Sequence, residues 1–323
     1  MGVTMFEAAN MAEDRGEFAR AGVMKTFARA APFLNALPRL TVPGSAFSWT
    51  REVSLGTNAF RKVNGSYTAS EGQSEPRMVP IKIMGGDLDV DKFILRTHGA
   101  EIRAQKEGAK AADLAQRLAY NFIKGSVTAV SGATADPDGF DGLQVRYGGG
   151  FGSTAVLDAG ENASQILANS GASDALSMRD LDIAIQAVQD PTHLLMTKKQ
   201  RLNITGFLRS SSSITQTKDE FGRLVTAYNG LPILDADVLG TVSGLEQLGY
   251  NENNDSTTSI YVLSLLEDML TIVQNGDPDV ADLGEQDAKP VFRTRVEWYG
   301  NLADMHPRCV ARLYNIADLI AVA

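Results

Sequence analysis

AFRKVNGSYTASEGQSEPRMVPIKIMGGDLDVDKF, residues 59 to 93, joins a polar segment to a segment patterned as strands. Residues 60–76 are rich in turn-forming types and hold too few apolar side chains to form a core. Residues 47–51 before them, and residues 78–83 and 88–93 after them, alternate as β-strands do. Asn64-Gly65 indicates a turn, because both residue types tolerate a positive φ. We therefore predict a long two-stranded hairpin, which is marginal in water without a partner surface.

The composition is that of a globular chain. Its 323 residues suffice for one large domain or two ordinary ones, with 44% hydrophobic and 21% charged residues. No run of about 18 apolar residues is present, so we expect no membrane span. The single cysteine, Cys309, excludes an internal disulfide framework and fits a reducing compartment. Residues 1–20 are acidic and lack the apolar stretch of a secretory signal.

The net charge of −9 is unevenly distributed along the chain. Between Arg223 and Lys289 there are twelve acidic residues and no basic one. A groove that binds nucleic acid tightly carries the opposite charge. This stretch is therefore interpreted as a solvated acidic surface.

The chain before the hairpin is predicted to be an arm. Residues 18–31 have an amphipathic helical pattern, and Pro32, Pro38 and Pro43 then favour an extended path. This arm has too little apolar surface to fold alone. We expect another surface, such as a neighbouring subunit, to hold it.

The rest of the chain alternates between helical and strand patterns. Small residues at helical spacing predict a helix over residues 100–123, roughly 35 Å long, which Gly125 ends. Ser177 and Thr197 each begin a capping-box pattern for a further helix. The predicted strands are His193–Met196, a hairpin over residues 224–234 around Asn229-Gly230, residues 261–266, and a closing pair made of residues 291–298 and 309–316.

None of the candidate chemical motifs matches a defined site. The glycine run at residues 148–152 has neither dinucleotide-binding nor P-loop spacing. The three acids in GGDLDVD, residues 85–91, lack the glycine and glutamate of a calcium loop. Cys309 lies among strand-patterned residues and is interpreted as a buried thiol. We expect no catalytic, cofactor-binding or metal residues; loose Ca²⁺ binding by the acids of residues 277–287 stays open as an alternative. The three histidines, His98, His193 and His306, have no metal-ligand neighbours.

The order of these parts resembles that of the major capsid proteins of tailed bacteriophages, which have the Hong Kong 97-type fold. The likeness covers the chain from about residue 20 and rests on pattern, without a single diagnostic motif. The segments that carry it are PFLNALPRLTVPGSAFSWTRE, the stretch quoted first, the helix that follows from Glu101, GFDGL, LPILDADV and PVFRTRVEWYGNLADMHPRCVARLYNI.

The resemblance implies an α+β fold with four parts. They are an N-terminal arm (residues 1–45), an extended β-hairpin loop (46–80) that lies over an adjacent subunit, a peripheral domain (81–134 and 286–323) containing the long helix at about 100–124, and an axial domain (135–285).

The resemblance also implies a function. The chain would self-assemble into pentamers and hexamers of an icosahedral head that encloses double-stranded DNA without sequence-specific binding. A separate scaffolding protein, a portal and a decoration protein would be its partners, with no membrane. Assembly would take place in the host cytoplasm, and the mature location would be the virion.

The candidate site residues lie on the predicted hairpin. Phe60 and Tyr67 are the expected anchors on a neighbouring subunit. Some proteins of the family crosslink a loop lysine to an asparagine, and here that pair would be Lys62 and Asn301. The candidates for charge pairs between subunits are Arg61, Lys62, Glu71 and Glu75.

Two other functions stay open at this point. An encapsulin-like nanocompartment shell would have the same fold and would package protein instead of DNA. A soluble α/β enzyme with an unrecognised site would form small, discrete oligomers instead of closed shells.

Overall fold

The computed structural model describes residues 32–99, 101–128, 136–148, 165–211, 215–218, 224–236, 248–250 and 257–321. The amphipathic stretch at residues 18–31 and most of the glycine run at 148–152 lie outside these ranges. Within them, no helix is long and apolar enough to span a membrane.

Strands and helices are grouped in separate runs along most of the described chain, which is α+β as predicted. The helices are α1 (Lys92–His98), α2 (Glu101–Lys124), α3 (Leu143–Arg146), α4 (Met178–Ala187) and α5 (Lys198–Ser211), with 3-10 turns at Pro32–Asn35 and Ala172–Asp174. The strands are β1 (Arg39–Thr41), β2 (Ala46–Ser54), β3 (Gln73–Pro80), β4 (Lys82–Asp91), β5 (Ile166–Ala168), β6 (His193–Met196), β7 (Thr215–Lys218), β8 (Leu224–Tyr228), β9 (Leu231–Asp235), β10 (Thr257–Leu263), β11 (Leu270–Gln274), β12 (Asp279–Glu285), β13 (Val291–Asp304) and β14 (Val310–Ala317).

Strand β13 organises a five-stranded sheet. Its 14 residues pair with three other strands. Strand β4 runs antiparallel along residues 291–300, while β12 pairs with residues 292–297 and β11 with residues 300–304. Strand β1 adds to β11 in parallel.

The second sheet has seven strands in the order β5-β14-β10-β6-β9-β8-β7. Strand β10, which lies between β14 and β6, is buried along its whole length. Tyr261 and Leu263 belong to the core that contains α2, whereas Ile260 and Val262 belong to the core beneath α4. Both faces of the sheet are therefore covered at this strand, which explains why its residues 260–263 are apolar without alternation.

The predicted pairing of the two closing strands is wrong. Strand β13 lies in the five-stranded sheet, whereas β14 pairs with β10 and β5 in the seven-stranded sheet. The turn around Pro307 directs the chain from one sheet into the other. Alternation predicts that each segment is a strand, but it does not show which distant segment the strand pairs with. The division into peripheral and axial domains stays a prediction. Strand β11 falls in the predicted axial domain but lies in the five-stranded sheet of β13, and β14 falls in the predicted peripheral domain but lies in the seven-stranded sheet.

Local sequence signals are confirmed where they depend on few residues. The Ser177 hydroxyl accepts a hydrogen bond from the Asp180 amide at the start of α4, and Thr197 caps α5 through the Gln200 amide. Asn229 and Gly230 both have positive φ in the turn between β8 and β9. Such a turn matches the right-handed twist of the flanking strands.

Helix α2 spans 24 residues, as predicted, and is about 36 Å long. Its buried side carries alanines, among them Ala111, Ala115 and Ala119, which allow close packing. The helix ends at Gly125, where a Cβ atom would lie 2.4 Å from the Asn121 carbonyl oxygen and 2.5 Å from that of Phe140. Glycine is needed here for close approach of the backbone.

The segment before the hairpin is part of the subunit's own core, in the portion that the structure describes. Phe33, Leu34 and Leu37 are almost completely buried. The Phe33 ring lies 5.6 Å from that of Phe122 on α2. Residues 32–41 are therefore held by contacts within their own chain, and the expectation that a neighbouring subunit holds the arm stays a prediction.

Replacing Phe33 with alanine tests this packing. Truncating a buried phenylalanine costs about 3–5 kcal/mol because apolar contacts are lost and a cavity remains. We expect Phe33→Ala to lower the midpoint of urea denaturation clearly. Phe93→Ala is the control, because Phe93 is 74% exposed on α1. Equal midpoints for the two variants would show that Phe33 contributes nothing to the subunit core.

Candidate assembly interface

Strands β2 and β3 form a separate two-stranded antiparallel sheet. Ala46 pairs with Pro80 at its base, and Ser54 with Gln73 at its far end. Near the base, Val79, Phe47 and Trp49 pack against β11 and β13. The rest of the hairpin projects away from that contact, since seven of the eight residues of β3 are exposed or only half-buried.

The tip of the hairpin has its own internal order. The Thr57 amide donates to the Ser70 hydroxyl at 2.7 Å, and that hydroxyl donates to the Thr57 carbonyl at 2.8 Å. The Gly65 amide donates to the Lys62 carbonyl at 3.0 Å and closes a turn in which Asn64 has a φ of 66°. The predicted turn is confirmed. Of its two residues, Asn64 is the one with a positive φ.

The predicted anchors, Phe60 and Tyr67, are both exposed. Phe60 is 108% exposed and Tyr67 is 66% exposed. The Arg61 guanidinium lies 5.2 Å from the centre of the Tyr67 ring, a cation–π distance. Lys62 is also exposed. The structure brings Arg61 and Tyr67 together within one chain; contacts of these residues with a second subunit stay a prediction.

The acidic candidates lie on the returning strand. Glu75 is 3.2 Å from Arg77 of its own strand, whereas Glu71 is exposed just before β3. Sequence reasoning missed two further apolar residues of the tip, Leu55 at 79% and Val63 at 91% exposure. Their signal was present, because both are large apolar residues inside an otherwise polar loop.

Asn301, the other half of the proposed crosslink, is buried in β13. Its amide nitrogen donates to the Pro80 carbonyl at 2.7 Å, and its amide oxygen accepts from the Leu302 amide at 2.7 Å. The side chain thus ties the end of β3 to the body of the subunit. The crosslink to Lys62 stays a prediction; it would replace the Asn301 amide nitrogen, which leaves as ammonia, and so would remove the nitrogen that now donates to Pro80.

Comparison with known proteins shows similarity at the level of structure. No protein-family model matches the chain, and no curated protein sequence matches it. The holo-SrpI encapsulin complex from Synechococcus elongatus PCC 7942 matches 89% of this chain with 88% of its own, at 15% identity and a TM-score of 0.60. Microbacterium phage Oxtober96 matches 88% with 90% of its chain, at 11% identity and a TM-score of 0.61. The capsid of a native GTA particle matches 90% with 90%, at 16% identity and a TM-score of 0.57.

The chain has the Hong Kong 97-type fold. The fold class implied by the sequence is thereby confirmed, including a hairpin that precedes the long helix. At identities of 11% to 16% the likeness extends to the fold and no further.

Two of the three acids in residues 85–91 of this Hong Kong 97-type chain form ion pairs with arginines of β13. Arg295 makes two hydrogen bonds to Asp87, at 2.7 and 3.1 Å, and Arg293 makes two to Asp89, at 2.6 and 2.7 Å. Asp91 instead caps α1 by accepting from the Phe93 amide. The three acids thus do not share one task, and two of them tie β4 to β13.

The single thiol is inert in this fold. Cys309 is fully buried beside Tyr147, whose hydroxyl lies 3.4 Å from the sulfur. Burial raises the pKa of the Cys309 thiol to about 12, so the nucleophilic thiolate is scarcely populated at neutral pH. The interpretation of Cys309 as a buried structural residue is confirmed.

The three histidines lie in separate surroundings. His98 is exposed at the end of α1, and His193 contacts Thr192 at 3.0 Å. Nδ1 of His306 accepts from the Arg308 amide at 3.1 Å, and burial, helped by Arg51, lowers the pKa of this histidine. Among the described residues, no three His, Cys, Asp or Glu side chains are grouped closely enough to hold a metal ion.

The paired carboxylates predict how stability depends on pH. The hydrogen bonds from Arg295 and Arg293 hold the pKa values of Asp87 and Asp89 below the ordinary 3.8. Their stabilisation is therefore complete above about pH 4 and is lost as the pH falls through the lowered values. Because both pairs are exposed to solvent, we expect a small effect.

Thermal unfolding at a series of pH values between about 6 and 2.5 measures this dependence. In the double variant Arg293→Gln/Arg295→Gln the melting temperature should fall less on acidification than in the wild type. Arg96→Gln, an exposed arginine on α1, is the control for the loss of a positive charge. An unchanged acid dependence in the double variant would contradict the assignment.

Proposed function

We propose that this chain is a major capsid protein. It would assemble into pentamers and hexamers that form the head shell around the double-stranded DNA of a tailed bacteriophage. The observation that carries the proposal is the hairpin, whose exposed apolar tip lies beyond the apolar packing that, among the described residues, anchors the strands near their base. The Hong Kong 97-type fold supports it, because the solved structures of similar fold include phage capsids.

The chemistry of the tip fits a contact between proteins. Leu55, Phe60, Val63 and Tyr67 expose apolar surface within 13 residues of chain, and clustered apolar exposure of this kind marks interaction sites. Specific interfaces typically bury about 1,600 Å². A projecting hairpin adds contact area of this kind without enlarging the subunit core.

The charge of the chain fits an enclosed, loosely held genome. A protein with a net charge of −9 repels phosphate, so DNA inside the shell would be confined instead of being bound in a groove. A scaffolding protein, a portal and a decoration protein are the further partners that we propose. The subunit would assemble in the host cytoplasm and reside in the virion, with a structural and non-enzymatic role.

An encapsulin-like shell that packages protein is the second candidate. It is favoured by a specific observation, since the encapsulin complex matches with a TM-score of 0.60 and the phage Oxtober96 structure with 0.61. The fold therefore does not separate the two functions. The contents of the particle do separate them.

Electron microscopy of the purified protein tests the proposal. We expect negative staining to show closed shells hundreds of ångströms across, because the interfaces of many copies act together. A uniform dimer or tetramer would contradict the proposal and would favour the alternative of a soluble α/β enzyme. Particles purified from infected cells and treated with nuclease should retain DNA; shells that retain only protein would establish the encapsulin-like alternative.

Replacing the tip tests its part in assembly. We would exchange residues 58–69 for Asn-Gly, which favours a tight hairpin turn. Because the hydrogen bonds described for the tip all stay within the hairpin, the melting temperature should change by only a few degrees, on the order of 1 kcal/mol or less. Closed shells should no longer form.

A second variant separates shortening from the loss of apolar side chains. It keeps twelve residues between Thr57 and Ser70 but fills them with glycine and serine. We expect it to fold and to fail in assembly as well. If either variant unfolds as a monomer, the tip belongs to its own core; if both assemble normally, the tip is not an interface.

A further inference from the structure

The hairpin has two edges, and its register shows which backbone groups each edge presents. Just before the paired strands, the Ile81 amide donates to the Ser45 carbonyl at 2.8 Å. Hydrogen-bonded and non-hydrogen-bonded pairs alternate in an antiparallel ladder. Phe47 and Val79 are therefore a hydrogen-bonded pair, whereas Ser48 and Met78 direct their amide and carbonyl groups outward.

The outward edge of β3 is blocked. Pro76 and Pro80 pair with Thr50 and Ala46, so both prolines stand at outward-facing positions. Proline has no amide hydrogen to offer a further strand. The outward carbonyl of Pro80 is already used by Asn301. Prolines at such positions are a recognised means of preventing strand addition.

The outward edge of β2 is open. Ser48, Thr50 and Glu52 are exposed and face outward by the same alternation. No proline occurs in β2, and none of these three backbone positions hydrogen-bonds to another described residue. An exposed edge of this kind is a template for a further strand. Natural proteins leave such an edge unprotected where a partner strand pairs with it.

We infer that the open edge of β2 pairs with β2 of a second copy, antiparallel and across a two-fold axis, to give a four-stranded sheet. This inference rests on the proposed function, since it assumes an assembly of identical subunits. A two-fold contact is self-complementary, so one open edge serves both copies. A three- or four-stranded sheet is also stable where an isolated hairpin is marginal.

The side chains of β2 suit this pairing. With Thr50 opposite the partner's Thr50, Ser48 faces the partner's Glu52, and Trp49 faces the partner's Arg51. Thr–Thr and aromatic–cation neighbours are favourable, and no like charges meet. Pairing of β12 with β12 of a second copy is less favourable, because Asp279, Asp282 and Glu285 would meet the same acidic residues of that copy. Strand β12 also carries a bulge. The described strands β1 and β5 have only three residues each.

A matched pair of proline substitutions tests the inference. Ser48→Pro removes an outward amide from the open edge, and Met78→Pro does the same directly across the hairpin on the blocked edge. Both substitutions spare the hydrogen bonds within the hairpin. We expect Ser48→Pro to raise the protein concentration needed for shell assembly by about tenfold or more, which corresponds to about 1.4 kcal/mol per subunit. Met78→Pro should leave it nearly unchanged, and equal effects of the two would overturn the inference.

A cysteine substitution gives a second readout that does not depend on proline. In a hydrogen-bonded antiparallel pair the Cα atoms are about 5.5 Å apart, within disulfide range. Thr50→Cys in assembled shells should therefore form dimers on a denaturing gel after mild oxidation by copper phenanthroline and dissolved oxygen. Met78→Cys is the control, because three strand spacings, roughly 14 Å, would separate the two copies of that residue. The native Cys309 is buried and adds no background.

The outcomes separate this inference from the proposed function. Intact shells without Thr50→Cys dimers, or with dimers equally abundant for Met78→Cys, would overturn the β2 pairing and leave the shell function standing. Wild-type protein that forms no shells at all would contradict the proposed function. Dimers confined to Thr50→Cys in intact shells would support both.

Discussion

The antiparallel ladder between β4 and β13 is the interaction on which the rest of the subunit depends. Ten residues of β4 pair with residues 291–300 of β13, and the same strand goes on to hold β11. On one face this ladder carries the paired charges of Asp87, Asp89 and their arginines. On the other it supplies Val296 and Trp298 to the core that contains α2. Asn301, farther along β13, fixes the base of the hairpin.

Much of the fold could be predicted where the signal is local. The turn at Asn229-Gly230, the caps at Ser177 and Thr197, and the length of α2 each depend on a few neighbouring residues. The hairpin was predictable for the same reason, since a polar tip between two alternating segments leaves few other arrangements. The sequence also identified Phe60 and Tyr67 as exposed aromatic residues in a segment without a core.

The remainder depends on contacts between distant segments. Nothing near Asp87 or Asp89 indicates that arginines more than 200 residues later face them across a sheet. The same holds for β14, whose alternation predicts a strand but not its partner. The prolines near Phe33 predicted an extended path for this segment. Its apolar side chains instead pack in the space that the alanines of α2 leave. Each of these errors concerns which segments meet, and not which local structure forms.

The hairpin and the ladder are also joined along the chain. Strand β3 ends at Pro80 and β4 begins at Lys82, so only Ile81 separates them. A pull on the hairpin is therefore passed into β4 through the backbone at Ile81, and its component along β4 acts parallel to the strand. In that direction the hydrogen bonds to β13 are loaded in shear and must break together, whereas a pull across the strands would open them one after another. A subunit built in this way resists mechanical tension that arrives through its projecting loop, as when a closed container is under pressure from within.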